Sequence, residues 1–249
     1  LFEKVRVFVL DEADNMLGPH GQGLGQQTLR IRSFVPKACQ FVLFSATFPE
    51  NIRRFASKFA PDANELLLEA EEVTVKEIKQ FFIRTEPAKK LEILSLLYDL
   101  LSLSQSVIFV QRRATADMVM RMMTEKGNSV VSLHGECTPV ERDRIMDDFR
   151  DGKVKVLVST NVIARGIDVA QVSMVVNYDM PVDLVGMADT ETYIHRIGRT
   201  GRFGRTGISV NLIDSEESMQ VQRTIELEQG VKITEVPVDD WEQMENMLK

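Results

Sequence analysis

The sequence is poor in cysteine and histidine, with Cys39, Cys137 and three histidines in 249 residues. The two cysteines lie far apart and in no Cys-x-x-Cys pattern. Ligand count therefore excludes a zinc site, a disulfide framework is disfavoured, and a reducing compartment, cytosol or nucleus, is the natural reading. No run of about 18 apolar residues occurs, so no segment reads as a membrane span. No charged-then-apolar leader opens the chain at Leu1-Phe2-Glu3-Lys4, and the lack of an initiator Met points to a start within a longer protein. Basic charge is also short, with 30 Lys and Arg against 37 Asp and Glu, a net −7. A bulk electrostatic binder of nucleic acid is usually basic. Any such role here needs a local patch, backbone N–H groups and defined arginines. The Gly-x-x-x-x-Gly-Lys-Ser/Thr phosphate loop is missing as well.

What is present is an ordinary globular composition, 44% hydrophobic and 27% charged. Apolar runs alternate with helix-length amphipathic segments, the pattern of an α/β protein with mainly parallel sheets. The clearest runs are Val5–Leu10, Phe41–Ser45, Ser106–Val110, Val130–Leu133, Val154–Ser159, Val172–Tyr178 and Ile208–Ile213. Their near-continuous apolarity predicts strands buried on both faces. Thr47-Phe48-Pro49-Glu50 and Thr138-Pro139-Val140-Glu141 match the Thr-x-x-Glu capping box, the second with Pro at its first helical position. Ile52, Phe55, Ala56 and Phe59 then share a helical face, as do Leu91, Leu94, Tyr98 and Leu101 after Pro87. Near the C-terminus, Trp241, Met244 and Leu248 form a stripe that reads as docking onto the core. Met118, Met120, Met122 and Met123 read as adaptable core. Glu69-Ala70-Glu71-Glu72 is acidic and poorly periodic, ahead of a strand expected at Ile78–Ile83. Residues 69–74 are therefore read as a linker between residues 1–68, too few strands for a complete doubly wound sheet, and residues 75–249, which hold enough.

Three segments carry chemistry. Val5–Leu10 runs into Asp11-Glu12-Ala13-Asp14. A strand ending in two acids places Asp11 at the carboxyl edge of a sheet, where it can hold Mg²⁺ through water while Glu12 orients an attacking water. The tetrapeptide alone would serve equally as a helix cap. The run Phe41–Ser45 strengthens the first reading, because the hydroxyls of Ser45-Ala46-Thr47 can reach Asp14 and relay the state of a bound nucleotide. Next, Ser159-Thr160-Asn161 ends a strand ahead of Ala164-Arg165-Gly166-Ile167-Asp168. A hydroxyl and N–H groups at such a junction suit phosphate, and Asp168 suits a ribose hydroxyl; a turn broken by Gly166 is the alternative. Last, His195-Arg196-Ile197-Gly198-Arg199-Thr200-Gly201-Arg202 spaces three arginines with glycines. Arg199 and Arg202 would share a helical face, though the glycines predict that the helix ends here. Their permanent, bidentate charge suits a transferring γ-phosphate.

In that order, Asp-Glu-Ala-Asp, Ser-Ala-Thr, Ala-Arg-Gly-Ile-Asp and His-Arg-Ile-Gly-Arg-Thr-Gly-Arg resemble motifs II, III, V and VI of the DEAD-box RNA helicases. The resemblance covers essentially the whole chain. It implies RecA-like parallel sheets flanked by helices, the C-terminal RecA-like domain complete and the N-terminal one truncated, in a family that clamps ATP and RNA between two such domains. It gives Asp11 to Mg²⁺, Glu12 to the attacking water, Gly166 and Asp168 to nucleotide, and makes Arg199 and Arg202 arginine fingers. Ser45 and Thr47 would couple hydrolysis to RNA binding, and His195 and Arg196 would bridge back to the acidic motif that includes Asp14. For RNA, Arg112 closes a motif IV-like segment, and His134, Gly135, Arg142 and Thr160 match positions that touch the sugar–phosphate backbone. Pro139 stands where many members have Gln, which removes one expected polar contact, and Asn161 stands where many have Asp.

The Gly21–Gly25 loop, Thr160-Asn161-Val162, the inserted Val182–Asp189 and the closing Asp239-Asp240-Trp241 are similar, more narrowly, to the nuclear mRNA-export branch of that family. That branch works at the cytoplasmic face of the nuclear pore and remodels exported ribonucleoprotein. The implied activity is RNA-stimulated ATP hydrolysis by a monomer, cytoplasmic and nuclear, with RNA and with protein activators or nuclear-pore partners. Alternatives are another RNA pathway such as translation initiation, a DNA-translocating relative, or a docking module that uses the inserted loop and the C-terminal helix. With no phosphate loop in its sequence, this chain alone is predicted to bind ATP very weakly. A calorimetric titration yielding a nanomolar to low-micromolar dissociation constant would contradict that expectation.

Overall fold

The computed structural model describes residues 2–17, 24–45, 48, 50–67, 77–101, 104–161, 172–201 and 206–248, with backbone alone at Asn15, Leu24, Asn51 and Trp241. Contacts between Cα atoms divide the chain into two compact units, Leu1–Glu69 and Ala70–Lys249. The expected cap at Thr47, the linker at residues 69–74 and the Trp241 side chain lie outside the described residues.

In the first unit, β1 (Val7–Leu10) and β2 (Gln40–Leu43) pair in parallel, with Phe8 opposite Phe41 and Leu10 opposite Leu43. Parallel neighbours need a crossover, which α1 (Ala13–Leu17) and α2 (Leu24–Phe34) supply. After β2 comes α3 (Glu50–Phe59). Its apolar face closes as the sequence predicts: Phe59 is buried with Leu10, Ala13 and Leu17, and Phe8, Phe41, Phe55 and Ala56 pack around them. Phe41 and Phe59 meet edge to face at 5.3 Å, and the Arg32 guanidinium lies 5.2 Å from the centre of each ring. The expectation of strands buried on both faces fails in this unit. Val7 and Val9 are 50% and 53% exposed. Successive side chains of a strand point to opposite faces, and the described helices cover only the face that carries Phe8 and Leu10.

The second unit is built on β3 (Ile78–Arg84), β4 (Gln105–Phe109), β5 (Val130–Leu133), β6 (Val156–Ser159), β7 (Val172–Asn177), β8 (Gly207–Ile213) and β9 (Thr234–Glu235). They form one sheet in the order β5-β6-β4-β7-β8-β3-β9, every pair parallel. Both faces are covered here, as all-parallel sheets require. On β4, Ile108 and the following Val110 enter a core with Leu94 and Leu97 of α4 (Lys90–Leu100) and with Ala116, Val119 and Met123 of α5 (Arg113–Glu125). Met244 and Leu248 of α9 (Trp241–Leu248) dock onto that same core. Val107 and Phe109 point the other way, into Met146 and Phe149 of α6 (Pro139–Arg150). Along that second face, Tyr193 and Ile197 of α7 (Thr190–Ile197) and Met219 and Ile225 of α8 (Glu216–Gln229) close over Ile78 and Phe82. The methionine group is core only in part, since Met123 is buried whereas Met118 is exposed.

The start of α6 shows the local code at work. Thr138 Oγ1 accepts from Glu141 N at 3.3 Å while Glu141 Oε2 accepts from Thr138 N at 2.8 Å, and Pro139 occupies the first helical position. The Thr138 backbone N–H, then its hydroxyl, hold the Glu141 carboxyl below its ordinary value of 4.5, against desolvation and with a lesser contribution from His134. For an acid shifted downward, the stability it lends is present above the unfolded value and disappears as pH falls through the folded one. The Glu141 carboxyl, followed by NMR, is therefore expected to titrate below an exposed glutamate, and Thr138→Ala should move its midpoint back up. An unchanged midpoint in that variant would mean that the Thr138 hydroxyl does not help hold the charge.

Candidate functional site

At the carboxyl end of β1 the Asp11 side chain is exposed, and its Oδ1 accepts from Glu12 N at 2.9 Å. Glu12 has φ of 50°, in the left-handed region that costs a residue other than glycine about 1 kcal/mol or more. The strain falls where the chain turns from strand into α1. Asp14 is buried, and its backbone N donates to Ser45 Oγ at 3.2 Å. That N–H opens a helix and has no intrahelical acceptor, so the serine after β2 is the natural cap for it. Backbone bonds from Ala13 N to Phe44 O, 2.9 Å, and from Phe44 N to Leu10 O, 2.8 Å, lock the two expected motifs together. Thr47 lies outside the described residues.

In the second unit the residues expected to touch RNA gather along one edge. Because β5, β6 and β4 are neighbours in a parallel sheet, their carboxyl ends lie side by side. There Arg112 is exposed at the N-cap of α5, Gly135 is exposed just after β5, and Thr160 is buried just after β6. Arg142 is half-buried in the first turn of α6, beside the Gly135 turn. Its Nε donates to Cys137 O and its Nη2 to Gly135 O, both at 3.0 Å. This guanidinium braces the Gly135 turn.

The third segment shows why the sequence punctuates its arginines with glycine. Asp189 caps α7, accepting from Thr192 N at 2.8 Å, and the helix stops at Ile197 with Gly198 as its C-cap. Arg199 follows, buried, its Nε donating to His195 O at 2.9 Å. His195 is buried and stands 3.9 Å from Glu191, one turn back. Gly201 has φ of 70°, and a Cβ there would lie 2.6 Å from Ile78 Cγ1; one on Gly207 would lie 2.5 Å from Gly201 N. Arg202, Gly166 and Asp168 lie outside the described residues.

Arg196 departs most from expectation. Its guanidinium is fully buried inside the second unit, where the resemblance would have it bridge back to the acidic motif. Nη1 donates to Asn177 Oδ1 at 2.9 Å and to Asp179 O at 2.8 Å, and Nε and Nη2 donate to Asn161 Oδ1, the former at 3.2 Å. The Phe109 ring lies 5.0 Å from the guanidinium carbon. Asn177 in turn donates to Asn211 Oδ1 at 2.9 Å, and Asn211 to Gln222 Oε1 and to Tyr193 Oη, both at 3.3 Å. Burial pulls the Arg196 pKa down to about 9, opposed by the charges of Asp179 and Asp189, so the group is a cation at neutral pH.

With this geometry, the comparisons with known proteins converge. Residues 1–55 match the DEAD/DEAH box helicase model, and residues 89–204 match the helicase conserved C-terminal domain. A single-residue variant of the S. cerevisiae Dbp5 C-terminal domain, solved bound to a Gle1 variant and IP6, is 42% identical with a TM-score of 0.65. The match covers 69% of this chain and 96% of that one. The chain belongs to the DEAD-box helicase family. Its parallel sheets are RecA-like. S. cerevisiae Dbp5 bound to RNA and ADP BeF3 superposes with a TM-score of 0.92 at 46% identity, covering 100% of this chain and 63% of that one. ATP-dependent RNA helicase DBP5 of Mycosarcoma maydis is 52% identical over 246 residues, which are 98% of this chain and 54% of that protein. The chain thus spans about half the length of the curated relatives it matches.

The network around Arg196 was the part of this helicase domain that sequence reasoning missed. Asn177 and Asn211 each interrupt an apolar strand run, and an amide inside a buried run must find a partner. That signal was available, but the partner is 19 residues from Asn177 and could be identified only in the fold. The glycines of the third segment yield a sharper test. Gly201→Ala meets both the left-handed φ and Ile78, whereas Gly127→Ala meets only a left-handed φ of 82° with open space around it. Gly201→Ala is expected to cost about 1–3 kcal/mol and Gly127→Ala about 1 kcal/mol, read from denaturant midpoints. Equal losses would show that the close approach to Ile78 does not matter.

Proposed function

We propose that the chain supplies the second motor domain, and the last part of the first, of an ATP-dependent RNA helicase that remodels RNA and RNA–protein complexes in mRNA export from the nucleus. On this reading residues 1–68 belong to the first RecA-like domain, 69–74 link, and 75–249 form the second. One observation carries it. Arg112, Gly135 and Thr160 share one sheet edge, and Asn161, next in sequence to Thr160, is held by Arg196, three residues before Arg199. A surface suited to RNA and an arginine segment suited to phosphate are thereby joined by direct hydrogen bonds.

Asp11, an exposed carboxylate at the end of a strand, fits Mg²⁺ held through water, with Glu12 beside it to orient the attacking water. Arg199 and Arg202 would neutralise charge on the transferring phosphoryl group, and Gly166 and Asp168 would hold the nucleotide. Ser45, Thr47, Asp14 and His195 would pass its state to the RNA side. Arg112, Gly135, Arg142 and Thr160 would hold the RNA backbone, without sequence specificity and with 2′-hydroxyl contacts selecting RNA over DNA. The relative solved with Gle1 and IP6 supports a protein partner, and the resemblance to the export branch supports work at the nuclear pore, in cytoplasm and nucleus.

A second, compatible reading concerns docking. Asp183 Oδ1 accepts from Val185 N and Met187 N, both at 2.9 Å, and so stiffens a loop whose Leu184, Val185 and Met187 are all exposed. Such a loop suits a protein contact.

The deciding measurement is ATP hydrolysis by the full-length protein with RNA, with DNA and with neither. RNA alone should stimulate. Arg199→Ala and Arg202→Ala should each lower turnover by about 10³-fold with RNA binding retained. No RNA-dependent turnover in the wild type, or equal stimulation by DNA, would remove the proposal.

A further inference from the structure

Asp179 follows β7 and meets four elements at once. Its backbone N donates to Phe109 O at 3.2 Å, at the end of β4, and its backbone O accepts from Arg196 Nη1 at 2.8 Å. Its two carboxylate oxygens are divided: Oδ2 accepts from Gln111 N at 2.8 Å, and Oδ1 accepts from Lys90 Nζ at 3.1 Å. Lys90 is itself buried at the start of α4, bonded also to Asp214 at 3.0 Å and lying 4.4 Å from the centre of the Tyr178 ring. Gln111 N is the last peptide donor before Arg112, which stands exposed at the N-cap of α5. A charged acceptor on a backbone N–H is a strong, directional bond. One oxygen of Asp179 thus bonds the exposed turn that presents Arg112, and the carbonyl of Asp179 is held by the helix leading to Arg199.

We propose that Asp179 is a positioning residue for RNA: its Oδ2 fixes the Gln111–Arg112 turn, and its main chain links that turn to Arg196. The inference rests on the proposed function. Lys90 occupies the other oxygen, and its presence decides which way an amide at this position would turn. Asparagine at this position has one acceptor and one donor in place of two acceptors. With Lys90 present, the ammonium claims the amide oxygen and the amide NH₂ is driven against Gln111 N–H. With the lysine removed, the amide can turn and give its oxygen to Gln111.

The test uses the full-length protein and a single-stranded RNA, with half-saturating RNA for ATP hydrolysis, turnover at saturating RNA and melting temperature measured on each variant. Asp179→Asn should raise half-saturating RNA about tenfold while saturated turnover stays within about twofold of wild type. Lys90→Met should lower the melting temperature with little change in half-saturating RNA. The double variant should return half-saturating RNA to within about threefold of wild type, although it carries both substitutions. A purely structural role for Asp179 would make the double variant worse than either single one, and that result would overturn the inference. So would an RNA-dependent wild type whose Asp179→Asn variant behaves identically. A wild type with no RNA-dependent turnover would remove the proposed function, and this inference with it.

Discussion

A guanidinium sealed inside a parallel sheet domain constrains everything near it. Removing the charge of Arg196 from water is costly, and the described acceptors that offset the cost are two asparagine oxygens and one peptide carbonyl, supplied by Asn161, Asn177 and Asp179. Those acceptors come from the ends of β6 and β7, and the guanidinium from the last turn of α7. The three segments cannot move independently without leaving a buried charge unsatisfied. Asn211, Gln222 and Tyr193 extend the same network across β8 and α8. Arginine suits this position because its planar fork serves several acceptors at once and it stays charged as its pKa falls toward 9.

The sheet around that charge explains where the exposed functional groups lie. In the second unit, alternate residues of β4 feed two separate cores, with α4, α5 and α9 on one face and α6 on the other. Both faces being occupied, the surface open to a ligand is the edge where strands end. Several residues there are tightly bonded: Asp189 caps α7, Thr138 and Glu141 cap the start of α6, and Arg142 braces the turn at Gly135. Interactions that would count as ordinary capping elsewhere fix the geometry of the proposed RNA surface. The lysine at position 90 illustrates the same economy, because its two carboxylate partners come from the ends of β7 and β8.

The left-handed turns mark a different kind of commitment. Glu12 accepts backbone strain at the junction of β1 and α1, where a glycine would relieve it. Gly201 lies where Ile78 at the start of β3 leaves no room for a side chain. Residues held this way persist only when the surrounding packing over-determines them. Both sit inside segments whose residue types suit phosphate chemistry.

Much of this was written in the chain itself. Apolar runs such as Val154–Ser159 marked strands because both faces of a parallel sheet exclude water, and the Thr138–Glu141 box marked a helix start because its partners are three residues apart. Ordered motifs disclosed the family, since each is a local run of chemistry. The sequence could not reveal that Val7 and Val9 would be exposed, because apolarity does not say whether a second layer covers a strand. Nor could it reveal that Arg196 would turn inward, although the glycines did mark the helix end before Arg199. The acceptors that receive Arg196 lie 35, 19 and 17 residues away. Which of them meet depends on strand order, and strand order is decided only when helices pack on both faces of the sheet.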